Sequence, residues 1–165
     1  MLTQITNGKI LTPGGWTKGG SVIVNNGKIL AVTDNELSII GAETIDAKGM
    51  YIVPGFIAMN VYGGGGRDFR ECEEEAFRTV VSTHLKYGAT SIFPTLATSP
   101  AESIYKAIDI CEKLMKEKGS QVMGLHLAGP YLNHKMSGPI HKVKNPEKAE
   151  YTAILESTEC IKRWD

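Results

Sequence analysis

At Met50 the chain changes its hydrophobic period, and that change restricts its fold more than any other feature. Tyr51 to Ile57 is a nearly continuous apolar run, the pattern of a strand buried on both faces of a parallel sheet. A helical pattern from about Glu73 to Tyr87 follows, with Gly88 as its C-terminal cap. Thr90 to Pro94 reads as a second strand. Ser99-Pro100-Ala101-Glu102 then offers an N-cap serine, a proline at the first helical position and a glutamate three residues after the cap, which is a capping box. Ile104, Ala107, Ile108, Cys111, Leu114 and Met115 give that helix one apolar stripe, and Gly119 ends it. Val122 to Leu127 reads as a third strand, Asn145-Pro146 opens another helix, and Ile161 to Trp164 reads as a fourth strand. Strands and helices alternating in this order form a parallel sheet through right-handed crossovers.

The residues before Met50 follow a different pattern. Leu2 to Thr6, Lys9 to Thr12 and Ser21 to Val24 are short, turn-bounded β segments. Asn26-Gly27, between Val22-Ile23-Val24 and Ile29-Leu30-Ala31-Val32, is a two-residue hairpin dipeptide, because both of its residues tolerate positive φ.

Composition narrows the function classes. The formal net charge is zero, so no electrostatic case exists for nucleic acid or an anionic membrane as a partner. The longest apolar runs, such as Met50 to Phe56, fall far short of the ~18 residues of a membrane span. Met1-Leu2-Thr3-Gln4 lacks the basic start and apolar stretch of a signal peptide, so the expected location is the cytoplasm. Cys72, Cys111 and Cys160 are odd in number and widely spaced, which fits neither a disulfide framework nor a zinc knuckle. They read as reduced thiols, Cys111 being a small hydrophobe on its helix.

Two strand ends carry the chemical information. Side chains at i and i+2 on a strand face the same way, so a His-x-His pair there can clasp one cation. In Pro54-Gly55-Phe56-Ile57-Ala58-Met59-Asn60-Val61-Tyr62-Gly63 that pair reads Asn60-x-Tyr62. In Leu125-His126-Leu127-Ala128-Gly129-Pro130 the loop-entry position that would suit a carboxylate holds Ala128.

These stretches resemble the N-acetylglucosamine-6-phosphate deacetylase family of the amidohydrolase superfamily. Gly63-Gly64-Gly65-Gly66 with Asp68-Phe69, Gly88-Ala89-Thr90-Ser91, Pro94-Thr95-Leu96-Ala97-Thr98-Ser99-Pro100 and His126-Leu127-Ala128-Gly129-Pro130 appear in the family's order. The resemblance implies residues 1–50 as part of a small β-sandwich and 51–165 as the first half of a (β/α)8 TIM-type barrel, about four strands. A complete barrel needs roughly 250 residues. The implied reaction is metal-dependent hydrolysis of N-acetylglucosamine 6-phosphate to glucosamine 6-phosphate and acetate, in amino-sugar catabolism. The family's zinc- or iron-type divalent metal would be held at positions that read Asn60, Tyr62 and Ala128 here, and the family's aspartate near the first strand end reads Ala58. No metal is expected on this chain, nor turnover by the chain alone, because the family's later histidines and its general-base aspartate fall after Asp165. The family's substrate-contacting dipeptide falls on Pro139-Ile140, with His141 one position late.

Blander roles compete for the remaining residues. His126, inside an apolar strand, reads as a buried structural histidine, and His84 as an ordinary helix residue. His134 with Lys135 reads as an exposed loop pair, and Gly63 to Gly66 as a strand-end loop where backbone can approach closely. The alternative to the enzyme is a non-catalytic barrel fragment used for partner binding or sugar-phosphate sensing. Half a barrel has two open sheet edges, which a homo-oligomer would cover.

Overall fold

The computed structural model describes residues 1–133, 135 and 143–165. They divide into two compact units, Met1–Pro54 and Gly55–Asp165. The first unit contains β1 (Leu2–Thr6), β2 (Lys9–Thr12), β3 (Gly15–Lys18), β4 (Ser21–Asn25), β5 (Lys28–Thr33), β6 (Glu43–Asp46) and β7 (Tyr51–Ile52). One sheet has the order β5-β4-β1-β6 and the other β3-β2-β7. The expected hairpin forms, with Asn25 opposite Lys28 and φ of 49° at Asn26 and 77° at Gly27, the double positive φ of a type I′ turn.

The apolar run from Tyr51 to Ile57 is not one strand. Tyr51 and Ile52 pair in parallel with Lys9 and Ile10 of the first unit, and a new strand starts at Phe56. Pro54, which has no N–H to give a ladder, and Gly55 separate the two. Nor is this stretch buried on both faces, since Phe56 is 60% exposed and Ile57 66%. Phe56 belongs to the outermost strand of its sheet, with a neighbour on one side only among the described residues.

The second unit contains β8 (Phe56–Val61), β9 (Gly63–Gly64), β10 (Arg67–Asp68), a 3-10 turn (Phe69–Glu71), α1 (Glu74–Lys86), β11 (Ala89–Ala97), α2 (Ala101–Met115), β12 (Leu125–Ala128), α3 (Lys148–Glu156) and β13 (Ile161–Trp164). Its main sheet has the sequential order β8-β11-β12-β13, and every pairing in it is parallel. This is a mixed α/β unit built on a parallel sheet. The third strand is shorter than its apolar pattern, because Val122 makes only an isolated bridge with Ile92 before β12 begins at Leu125.

One face of this sheet is closed by helices. Ile92, Leu96, Leu125 and Leu127 of the strands share a buried cluster with Phe77 and Val80 of α1, and with Ile104, Ala107, Ile108 and Cys111 of α2. Phe69 joins them, edge-on to Phe77 with ring centroids 4.7 Å apart. Each large apolar side chain taken fully out of water contributes about 1.5–3 kcal/mol, so this cluster is the main driving force of the unit.

The capping box is elsewhere than expected. α2 starts at Ala101 with Pro100 as N-cap and without a side-chain cap. The Ser99 hydroxyl donates back to the Ala97 carbonyl at 2.6 Å, and Glu102 pairs with Lys106. A reciprocal capping box does close the Phe69–Glu71 turn, built by Asp68 and Glu71.

Candidate functional site

Parallel strands in register bring their C-terminal ends to one edge of the sheet. Val61 of β8 lies opposite Pro94 of β11, Ala97 opposite Ala128 of β12, and Leu127 opposite Trp164 of β13. Along that edge a cleft of about 260 Å³ is lined by Tyr62, Asp68, Arg70, Ala97, Ala128 and Leu132. Of the residues singled out in the sequence, Tyr62 and Ala128 therefore meet on one rim. Asn60 lies exposed in β8 but does not line this cleft. Ala58 is partly buried against the apolar cluster. Pro139, Ile140, His134 and His141 lie outside the described residues.

The glycine run shapes the near wall. Gly63–Gly64 and Arg67–Asp68 pair as a hairpin whose turn residues, Gly65 and Gly66, have φ of 63° and 80°. A side chain at Gly65 would also collide with Thr83 of α1, whose hydroxyl would lie 2.5 Å from the new Cβ. The run is thus a tight hairpin pressed on a helix, a more specific role than a loose strand-end loop. His84 takes part in it, with Nε2 3.1 Å from the Gly63 carbonyl.

The hairpin delivers Asp68 and Arg70 to the cleft already paired. Arg70 donates from Nε and Nη2 to the two oxygens of Asp68 at 3.0 and 2.9 Å, and its backbone N–H adds a third bond at 2.8 Å. The guanidinium holds the Asp68 carboxyl below the usual carboxylate range, against the opposing effect of burial. Glu71 accepts from the Asp68 N–H at 2.7 Å and from Arg67 Nε at 2.6 Å.

Beside the cleft, a polar row crosses the sheet, buried at Thr95 and His126 and exposed at Asp165 and Arg163. The Val61 N–H donates to Thr95 Oγ1 at 2.9 Å, Thr95 Oγ1 lies 3.1 Å from His126 Nδ1, and His126 Nε2 lies 3.0 Å from Asp165 Oδ2. Arg163 completes the row with two bonds to Asp165 at 2.8 and 2.9 Å. An ionised carboxylate only accepts, so His126 Nε2 carries a hydrogen. In the neutral ring Nδ1 then accepts from the Thr95 hydroxyl, and every member is satisfied. The Asp165 carboxyl is held down mainly by Arg163 and further by His126. Thr95 and His126 are essentially buried, 0% and 1% exposed, as the structural reading of His126 requires. Thr95 and Asp165 were not foreseen. The available signal was a single polar residue inside each of two apolar runs, and these two face each other in the register.

Among the described residues, the donors at this rim do not fit a divalent metal. Asp68 is its one carboxylate and is committed to Arg70. Ala128 offers a methyl group, Tyr62 a phenol, and both nitrogens of His126 are engaged. Among the described residues no three His, Cys, Asp or Glu side chains cluster as metal ligands. Zinc sites need three or four such ligands. No helix of the described residues is long and apolar enough to cross a membrane.

No family model matches the sequence. Among curated proteins it is 35% identical over 123 residues to the N-acetylglucosamine-6-phosphate deacetylase of Haemophilus influenzae, covering 74% of this chain and 32% of that protein. It is 33% identical over 138 residues to the human enzyme of the same name, covering 81% of this chain and 32% of the relative. The chain thus spans about a third of the length of these relatives. The crystal structure of the Pasteurella multocida deacetylase superposes with a TM-score of 0.91 at 27% identity, covering 99% of this chain and 44% of that one. A Mycobacterium smegmatis deacetylase mutant, solved in complex with N-acetyl-D-glucosamine-6-phosphate, shares the fold with a TM-score of 0.84 at 21% identity. By sequence and by fold, the homologues and structural neighbours of this chain are N-acetylglucosamine-6-phosphate deacetylases of the amidohydrolase superfamily.

Proposed function

We propose that this chain carries the strand-end scaffold of a deacetylase acting on N-acetylglucosamine 6-phosphate, and that its described residues do not complete a hydrolytic centre. The observation that supports this reading is the meeting of Tyr62 and Ala128, from two different strand ends, on one cleft rim. That rim belongs to a chain whose curated relatives are deacetylases of this phosphate sugar. The parallel unit is read as the first part of a (β/α)8 barrel, the preceding unit as part of a small β-sandwich, and the setting as cytoplasmic.

The chemistry sets a clear requirement. An acetamide carbonyl is a weak electrophile, so its hydrolysis needs a polarising group at the oxygen and an activated water. At this rim Arg70 is the positive side chain, and Asp68 neutralises it. A phenol at position 62 and a methyl group at position 128 shape the cleft without polarising a carbonyl strongly. Groups able to do so must come from outside the described residues.

A segment exchange tests this. The chain is placed in the Haemophilus influenzae deacetylase in exchange for the matching segment, once unchanged and once carrying Asn60→His, Tyr62→His and Ala128→Glu. Acetate release from N-acetylglucosamine 6-phosphate is expected from the reverted hybrid and not from the unchanged one. The chain alone, unchanged or reverted, is expected to stay at the blank. An active unchanged hybrid, or a folded reverted hybrid without activity, would overturn the assignment of this rim.

A further inference from the structure

At the opposite end of β13 the turn that precedes the strand is tied to α2. The Thr158 hydroxyl bonds the Glu112 carboxylate and accepts the Cys160 N–H at 3.0 Å. Glu112 is the neighbour of Cys111 on α2, so this link ties together the two segments that carry the cysteines. Both lie in the same buried apolar cluster, each near enough to be the leading influence on the other's thiol. The environments differ on one point. Cys160, 3% exposed, lines a surface cleft of about 810 Å³ together with Glu112, Met115, Lys116, Leu155 and Lys162, whereas Cys111 is fully buried and does not line it. Cys72 stands apart, with its Sγ 3.4 Å from the Ser103 carbonyl. The candidate site uses none of these groups.

We propose that Cys160 and Cys111 form a redox pair, oxidised by hydrogen peroxide to an intrachain disulfide that joins α2 to the start of β13, with Cys160 as the attacking thiol and Cys111 as the resolving one. The assignment of roles follows from access, since Cys160 is the cysteine that lines the cleft. The acid–base balance of the pair agrees: the neighbouring Cys111 holds Cys160 down to about 7, ahead of the opposing effect of burial. Cys160 and burial in turn push Cys111 up. In the first step the Cys160 thiolate attacks one peroxide oxygen, an S–O bond forms, the O–O bond breaks and hydroxide leaves, taking a proton as water. In the second step Cys111 attacks the sulfenyl sulfur, the S–S bond forms, the S–O bond breaks and water leaves with the Cys111 proton. Two electrons pass from the thiols to the peroxide, which ends as two waters.

The test uses the whole reduced chain under native conditions, treated with hydrogen peroxide, quenched, alkylated in denaturant and mapped by mass spectrometry without reduction. The expected result is a linked peptide pair containing Cys111 and Cys160, with Cys72 alkylated. In Cys111→Ser the reaction should stop at Cys160, leaving a sulfenic acid captured by dimedone. If Cys111→Ser does not fold, the map of the unchanged chain decides. Alkylation of both Cys111 and Cys160 after peroxide treatment, or a disulfide that includes Cys72 or links two chains, would overturn the proposal.

Discussion

On the two middle strands of the parallel sheet, residues on opposite faces are buried by opposite means. Toward the helices, Ile92, Leu96, Leu125 and Leu127 meet Phe77, Ile104 and Cys111 through apolar contact alone. On the same strands and one residue out of phase, Thr95 and His126 are equally hidden, yet each is fixed by directed hydrogen bonds. An apolar face loses stability with the volume removed, whereas a polar row loses it with each partner left unpaired. Burial by itself therefore does not say what a substitution costs.

The largest effect should come from the apolar face. Phe77→Ala removes a fully buried ring that lies edge-on to Phe69, and should cost about 3–5 kcal/mol in urea unfolding. A loss below about 1 kcal/mol would mean that this face is not close-packed. On the polar row, Thr95→Val keeps the shape but orphans the Val61 N–H and the acceptor at His126 Nδ1, for about 1–3 kcal/mol. Thr95→Ser keeps the hydroxyl and should lose clearly less. Equal losses for valine and serine would show that the hydrogen bonds contribute little and that the contrast between the faces is false.

A smaller effect should appear in the pH dependence at the cleft wall. The Asp68 carboxyl lies below its ordinary value, chiefly through Arg70. A group depressed on folding contributes stability that is present above its unfolded value, about 3.9 for aspartate, and that is lost as pH falls through the folded value. Urea midpoints taken from pH 5 downward should therefore fall, and Asp68→Asn should flatten that fall. An unchanged slope in Asp68→Asn would remove the Arg70 pair from the account.

How legible this was in the sequence depended on whether a feature is local. β13 begins and ends where its pattern places it, and the Asn26-Gly27 hairpin follows from two residues that tolerate positive φ. The run from Tyr51 misled because hydrophobicity reports a preference for burial and not which neighbour provides it. Tyr51 went to a strand of the first unit, and Phe56 stands at a sheet edge. The capping box at Ser99 failed for a related reason, since a serine hydroxyl has more than one backbone partner within reach and this one bonds Ala97. At the site, the parallel order sufficed to bring Tyr62 and Ala128 to one rim, whereas the i, i+2 rule did not bring Asn60 there, because β8 ends at Val61. The Thr95–His126 contact depends on strand register, which no single segment encodes.

The central claim is that the described residues of this rim do not hold a divalent metal, and zinc analysis tests it most directly. The purified chain is incubated with excess zinc, dialysed and assayed for zinc per chain. The account predicts a value far below one, unchanged by Asp68→Asn. About one tightly held zinc per chain, lost when Asp68 or Tyr62 is replaced, would contradict it.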